Sequence, residues 1–119
     1  MLQKRKGLIH FFKAFKHSWD GIVSVAPSEA AFRQELVLCA VGVLVLCLVD
    51  VSAFVRVVLC VSLVWILIAE LINTAIENIV DRIGPEYHEL SGRAKDIGSA
   101  IVCMTIISVI CMWVFVLCF

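Results

Sequence analysis

The sequence predicts an all-α integral membrane protein: three transmembrane helices preceded by an amphipathic helix lying on the membrane surface. Three observations lead there. Of 119 residues, 62% are hydrophobic and 17% charged, too little polar surface for a soluble domain of this length. Three long apolar blocks are separated by short polar connections. With three spans, Lys4, Arg5, Lys6, Lys13, Lys16, Arg33, Arg82, Arg93 and Lys95 share one side and only Arg56 lies opposite. The positive-inside rule puts those nine, and the amino terminus, in the cytoplasm. A net charge of zero and the lack of a dense basic block argue against nucleic acid as a partner.

The chain is expected to form one domain over residues 1–119. The start, MLQKRKG, is signal-like in charge, but Lys13, Lys16 and His17 interrupt the apolar stretch after it, so no signal peptide is expected. A surface helix is predicted over about 8–25. Leu8, Phe11, Phe12, Phe15, Trp19, Ile22 and Val23 share one face, and Lys13, Lys16, His17 and Asp20 lie towards the other. Pro27 is expected to break the chain, with Ser28 as the N-cap of the first span and Glu29 in its first turn.

That span is predicted over about 28–49. Its uncharged part is too short for about 30 Å of hydrocarbon, so Glu29, Arg33 and Glu35 sit at its cytoplasmic end. Asp50 and Ser52 mark a turn. The second span is predicted over about 53–83 and is stopped by Gly84-Pro85. Residues 84–95 form a polar connection, and the third span covers about 91–119. Its small run Gly98-Ser99-Ala100 permits close helix approach.

The second span carries a polar stripe: Glu70, Asn73, Thr74, Glu77 and Asp81. The spacings i, i+3, i+4, i+7 and i+11 stay on one narrow helical face. A carboxylate in hydrocarbon costs at least about 2.5 kcal/mol, so a function is sought there. Glu77 is predicted near the headgroup boundary with Glu70 about 10 Å deeper, a depth suited to chemistry on a lipid headgroup or hydroxyl. Glu29 enters at a depth similar to that of Glu77, and the two are candidates to share a divalent cation. Oxygen-only ligands favour Mg²⁺, which usually takes one or two carboxylates plus substrate phosphates. Lys95 and Asp96 add a cation for phosphate and another acid, and Asn73 is placed to orient a neighbour.

Other features are plainer. His10 and His17 read as interfacial residues, and Trp19, Trp65 and Trp113 as packing or interface anchors. Cys39, Cys47, Cys60, Cys103, Cys111 and Cys118 all lie in apolar runs without CxxC spacing and read as small hydrophobes. No P-loop, kinase catalytic loop or Rossmann glycine pattern is present. A transporter using Glu70 as a proton relay is a different class of reading, but no acids lie deep in the first or third span to complete a path. A non-catalytic assembly factor is a third.

The strings EAAFRQE (29–35) and ELINTAIENIVDRIGPEYHELSGRAKDIGSA (70–100) resemble those of the prokaryotic-type integral-membrane diacylglycerol kinases, as does the KAxxxSWxG pattern from Lys13 to Gly21. The resemblance covers nearly the whole chain. It implies a homotrimer in the bacterial inner membrane, with active sites built across subunit contacts, that transfers the γ-phosphate of MgATP to diacylglycerol and gives phosphatidic acid.

By the same resemblance Glu70 matches the general base, Glu29 and Glu77 the metal-binding pair, and Asn73 a residue needed for activity. Nucleotide contacts are implied at His10, His17, Glu29, Glu77, Glu86, Tyr87, His88, Lys95 and Asp96. Lipid-site matches are Ala14, Ser18, Trp19, Ala31, Phe32, Arg33, Gln34, Glu35, Arg56, Glu70 and Ser99. The family commonly has Arg and Tyr where this chain has His10 and His17, so weaker or pH-sensitive ATP binding is expected. A related undecaprenol kinase of the same fold is the alternative, although the VDRIGPEYHELSGRAKD loop resembles the diacylglycerol branch more closely.

Overall fold

The computed structural model describes residues 2–119, with side chains from residue 3 onward. Four helices follow one another: α1 (Leu2–Ser28), α2 (Ala30–Leu48), α3 (Ala53–Ile83) and α4 (Glu89–Cys118). The last three are each long and apolar enough to cross a membrane. Most of their large apolar side chains are exposed, among them Val37, Leu44, Phe54, Trp65, Met104 and Phe115. That is the surface of a protein whose solvent is hydrocarbon.

α3 is the central element. It packs along α4 and, less extensively, along α2, whereas the backbones of α2 and α4 do not approach each other. The result is a valley floored by α3 and walled by α2 and α4. Leu63, Ile66 and Val109 form its buried core, with Cys39, Ile106 and Trp113 packed against them. The Trp113 Nε1–H donates to Ser62 Oγ at 2.8 Å, joining α4 to the amino-terminal half of α3. Gly42 lets α2 close on the same place, because a Cβ there would sit 2.8 Å from Leu63 Cδ1.

Two chain ends of α3 are set locally. Ser52 caps its start by accepting from the Val55 N–H at 3.2 Å. Gly84, with φ of +153°, ends it in a conformation that disfavours any side chain. α4 then begins at Glu89, two residues before the expected start. The His88 imidazole is its cap, accepting from the Leu90 N–H at 3.1 Å.

The amino-terminal segment departs from expectation. α1 runs unbroken from Leu2 through Pro27 to Ser28, far longer than the predicted 8–25. Pro27 removes only one donor, and the Glu29 N–H still bonds Val25 O at 2.9 Å, so the helix survives the proline. Ser28 does not cap α2 either. Its hydroxyl turns back to the carbonyls of Ser24 and Val25. The break falls on Glu29 alone, extended at φ −121° and ψ 110°, without a side-chain cap bond. Gln3 through Ser24 are all exposed, so α1 meets the bundle only through its last turn.

Candidate active site

The polar stripe on α3 runs from a dry end to a wet one. Glu70 and Thr74 are buried, at 5% and 3% exposure; Asn73 and Glu77 are half-buried; Asp81 is exposed. Helical periodicity puts these five residues on one face, and packing against α2 and α4 decides how much of it is covered.

The covered part opens into a cleft of about 470 Å³. Glu70, Asn73 and Glu77 enter from α3, Glu35 and Ala31 from α2, Glu29 from the junction before it, and Ser99 from α4. Four carboxylates thus share one cleft with no cation in its lining. The Asn73 Nδ2 donates to Glu77 Oε1 at 3.2 Å and so orients that carboxylate. One oxygen of Glu35 and the Asn73 carbonyl oxygen are buried there without partners among the described residues, and so, outside the cleft lining, is the Thr74 hydroxyl. Because Glu29 makes no cap bond to α2, its carboxylate is free to serve the cleft.

These residues fit Mg²⁺. Its ligands are hard oxygens, and it keeps positions for water and phosphate rather than filling a protein cage. No group of three or more His, Cys, Asp or Glu side chains converges as a ready metal site among the described residues.

A second, smaller cleft of about 200 Å³ lies at the carboxyl-terminal end of α3. Glu86, Tyr87 and His88 line it from the connection, with Asp81 and Lys95 from the two helices. Lys95 Nζ meets Asp81 Oδ1 at 2.8 Å, and both side chains are largely exposed. Asp81 lies one turn beyond Glu77, so the two clefts adjoin along α3 at a rise of about 6 Å.

Other predicted positions are not brought together within one protomer. His10, Ala14, His17, Ser18 and Trp19 stand on the exposed part of α1, outside both clefts. Phe32 is buried at 2% exposure, and Gln34 is exposed outside the clefts. Arg33 does not pair with Glu29. Its Nη1 donates to the carbonyls of Ala26 and Pro27 at 2.8 and 3.1 Å, closing the end of α1. Arg56 bonds the carbonyls of Val49 and Val51 at the far turn, about 21 Å from Glu70 along the helix. Asp96 is exposed beside Lys95 but does not line the second cleft.

The structure also adds two residues that the sequence pattern did not assign to the site. Asp81 holds Lys95; its place in the stripe was visible, its partner was not. Cys103 lines the main cleft one turn after Ser99, a spacing legible only once Ser99 is known to face inward.

Comparison with known proteins bears on the same residues. The model of the prokaryotic diacylglycerol kinase family matches residues 16–117. The diacylglycerol kinase of Escherichia coli (strain K12) is 47% identical over 113 residues, covering 95% of this chain and 93% of that protein. That of Haemophilus influenzae is 39% identical over 118 residues, 94% and 95% of the two chains. That of Pseudomonas aeruginosa is 42% identical over 105 residues, 87% and 85%.

Proposed function

This chain belongs to the prokaryotic diacylglycerol kinase family, and from that premise we propose that it transfers the γ-phosphate of MgATP to the hydroxyl of diacylglycerol, giving phosphatidic acid. The observation that carries the reading is the buried Glu70 in a cleft lined by three more carboxylates. A base this deep reaches a hydroxyl that stays in the membrane, not one on a soluble metabolite. The valley continues below the cleft as an apolar groove lined by Leu38, Val41, Ile106 and Val114, with Ile106 common to both. Such a surface suits an acyl chain.

In this mechanism Glu70 accepts the proton as the acceptor oxygen attacks the γ-phosphorus, and the bond to the β-phosphate oxygen breaks to leave ADP. Glu29 and Glu77 would hold the Mg²⁺, which would supply positive charge to offset that of the phosphates. Asn73 orients Glu77. Lys95, beside Glu86, Tyr87 and His88, receives the nucleotide phosphates, with Asp96, His10 and His17 as further nucleotide contacts. Ala14, Ser18, Trp19, Ala31, Phe32, Arg33, Gln34, Glu35, Arg56 and Ser99 are assigned to the lipid side. Catalysis is chiefly positioning and charge neutralisation.

The working unit is a homotrimer of single-domain protomers in the bacterial inner membrane, amino terminus inside. Two features support more than one copy: α1 carries Phe11, Phe12, Phe15 and Trp19 exposed, and the assigned α1 residues lie outside the protomer's own clefts. Purified protein supplied with MgATP and either diacylglycerol or undecaprenol tests the assignment. Phosphorylation of diacylglycerol is expected; phosphorylation of undecaprenol alone, or of neither, overturns it.

A further inference from the structure

We infer that Gly98 is a positioning residue for this reaction, an inference that rests on the kinase reading: by carrying no side chain it lets the Asn73 amide lie between α3 and α4 and present Nδ2 to Glu77. Gly98 is buried where α4 crosses the stripe. A Cβ at that position would collide with Asn73 Oδ1, stand 3.3 Å from Asn73 Cγ and touch Ile76 Cδ1 at 3.5 Å. Both ends of the amide are then accounted for. Oδ1 is buried without a hydrogen-bond partner, wedged over the glycine, and Nδ2 donates to Glu77 Oε1 at 3.2 Å.

The consequence is directional. Asn has two side-chain torsions, and turning either to escape a methyl group takes Nδ2 away from Glu77. A neutral amide on one carboxylate oxygen orients Glu77 without cancelling its charge, leaving its other lone pairs for a hard cation. Outer hydrogen-bond partners of a metal-binding carboxylate commonly alter metal affinity by about 10-fold or more when removed. Gly98 therefore acts on the site through Asn73 and touches neither substrate nor metal itself.

The test is a double-mutant cycle of Gly98→Ala and Asn73→Ala in the membrane-reconstituted full chain. The readout is the Mg²⁺ concentration that half-saturates binding of a non-hydrolysable ATP analogue, with thermal unfolding measured in parallel. Each single variant is expected to raise that concentration by about 10-fold. The double variant should match Asn73→Ala alone, because the added methyl then strikes nothing. Gly98→Ala with unchanged Mg²⁺ dependence, or effects that multiply in the double variant, overturns the inference. Should Gly98→Ala fail to fold, the double variant decides: folding with the Asn73→Ala requirement supports it, and folding with the wild-type requirement, or not folding, refutes it. A wild-type protein without Mg²⁺-dependent nucleotide binding would instead sink the kinase reading.

Discussion

At the scale of single residues, Glu70 and Glu77 show how one helical face divides labour by depth. Glu70 is shielded by both neighbouring helices, so its carboxylate stands in the driest part of the cleft. Replacing it with Gln keeps shape and hydrogen bonding but removes the carboxylate proposed as proton acceptor. Turnover by Glu70→Gln is expected to fall by about 10²–10⁴-fold with KM little changed. Thermal unfolding should show a protein at least as stable, since a desolvated charge is gone. An active variant would remove the base assignment, and an unfolded one would make Glu70 structural. Glu29 and Glu77 are less covered and are the proposed metal ligands. For Glu29→Ala and Glu77→Ala, the Mg²⁺ requirement should rise by more than the roughly 10-fold typical of losing an outer hydrogen-bond partner. Activity measured across a Mg²⁺ titration checks this, and a normal requirement in both would reassign the ligands.

At the scale of elements, the junction between α1 and α2 rests on one extended residue and one arginine. Arg33 reaches back to the carbonyls of Ala26 and Pro27, which otherwise lack helical partners. Arg33→Ala should therefore speed hydrogen exchange at the end of α1 while α3 and α4 keep their protection; uniform exchange across all helices would refute this. In the amino-terminal half of α3, Trp113 ties α4 to α3 through Ser62, whose own hydroxyl donates to Leu59 O. Trp113→Phe leaves Ser62 still bonded, so the loss should be one membrane hydrogen bond, about 0.6 kcal/mol. Reversible unfolding in mixed micelles measures it, and a loss of several kcal/mol would mean the indole is held mainly by packing.

For the whole molecule, the extents of 52 × 47 × 22 Å reflect a three-helix bundle with α1, itself about 40 Å long, leaving it at one end. The proposed direction of the bundle rests on its charge asymmetry, nine of ten basic residues falling on one side. Labelling of single introduced cysteines, in a background lacking the six native ones, should place the 82–95 loop on the cytoplasmic face and residue 119 on the opposite one. Finding both on one side would exclude three spans.

The sequence by itself determined that three long apolar helices exist, where α3 ends, and which face of α3 is polar. Each of these is a local property: apolar length, a glycine followed by proline, and a period of 3.6 residues. Tertiary structure alone decided the rest. That Arg33 closes α1 and leaves Glu29 unpaired, that Asp81 takes Lys95, and that Glu35 joins the cleft all depend on how far apart helix axes lie. The fate of Pro27 is local: the backbone bond from Glu29 to Val25 holds α1 together across it, and proline costs the helix only one donor. Gly98 marks the boundary between the two kinds of knowledge. Its small size is legible as permission for close approach, but that the space goes to the Asn73 amide depends on how α4 is packed against α3.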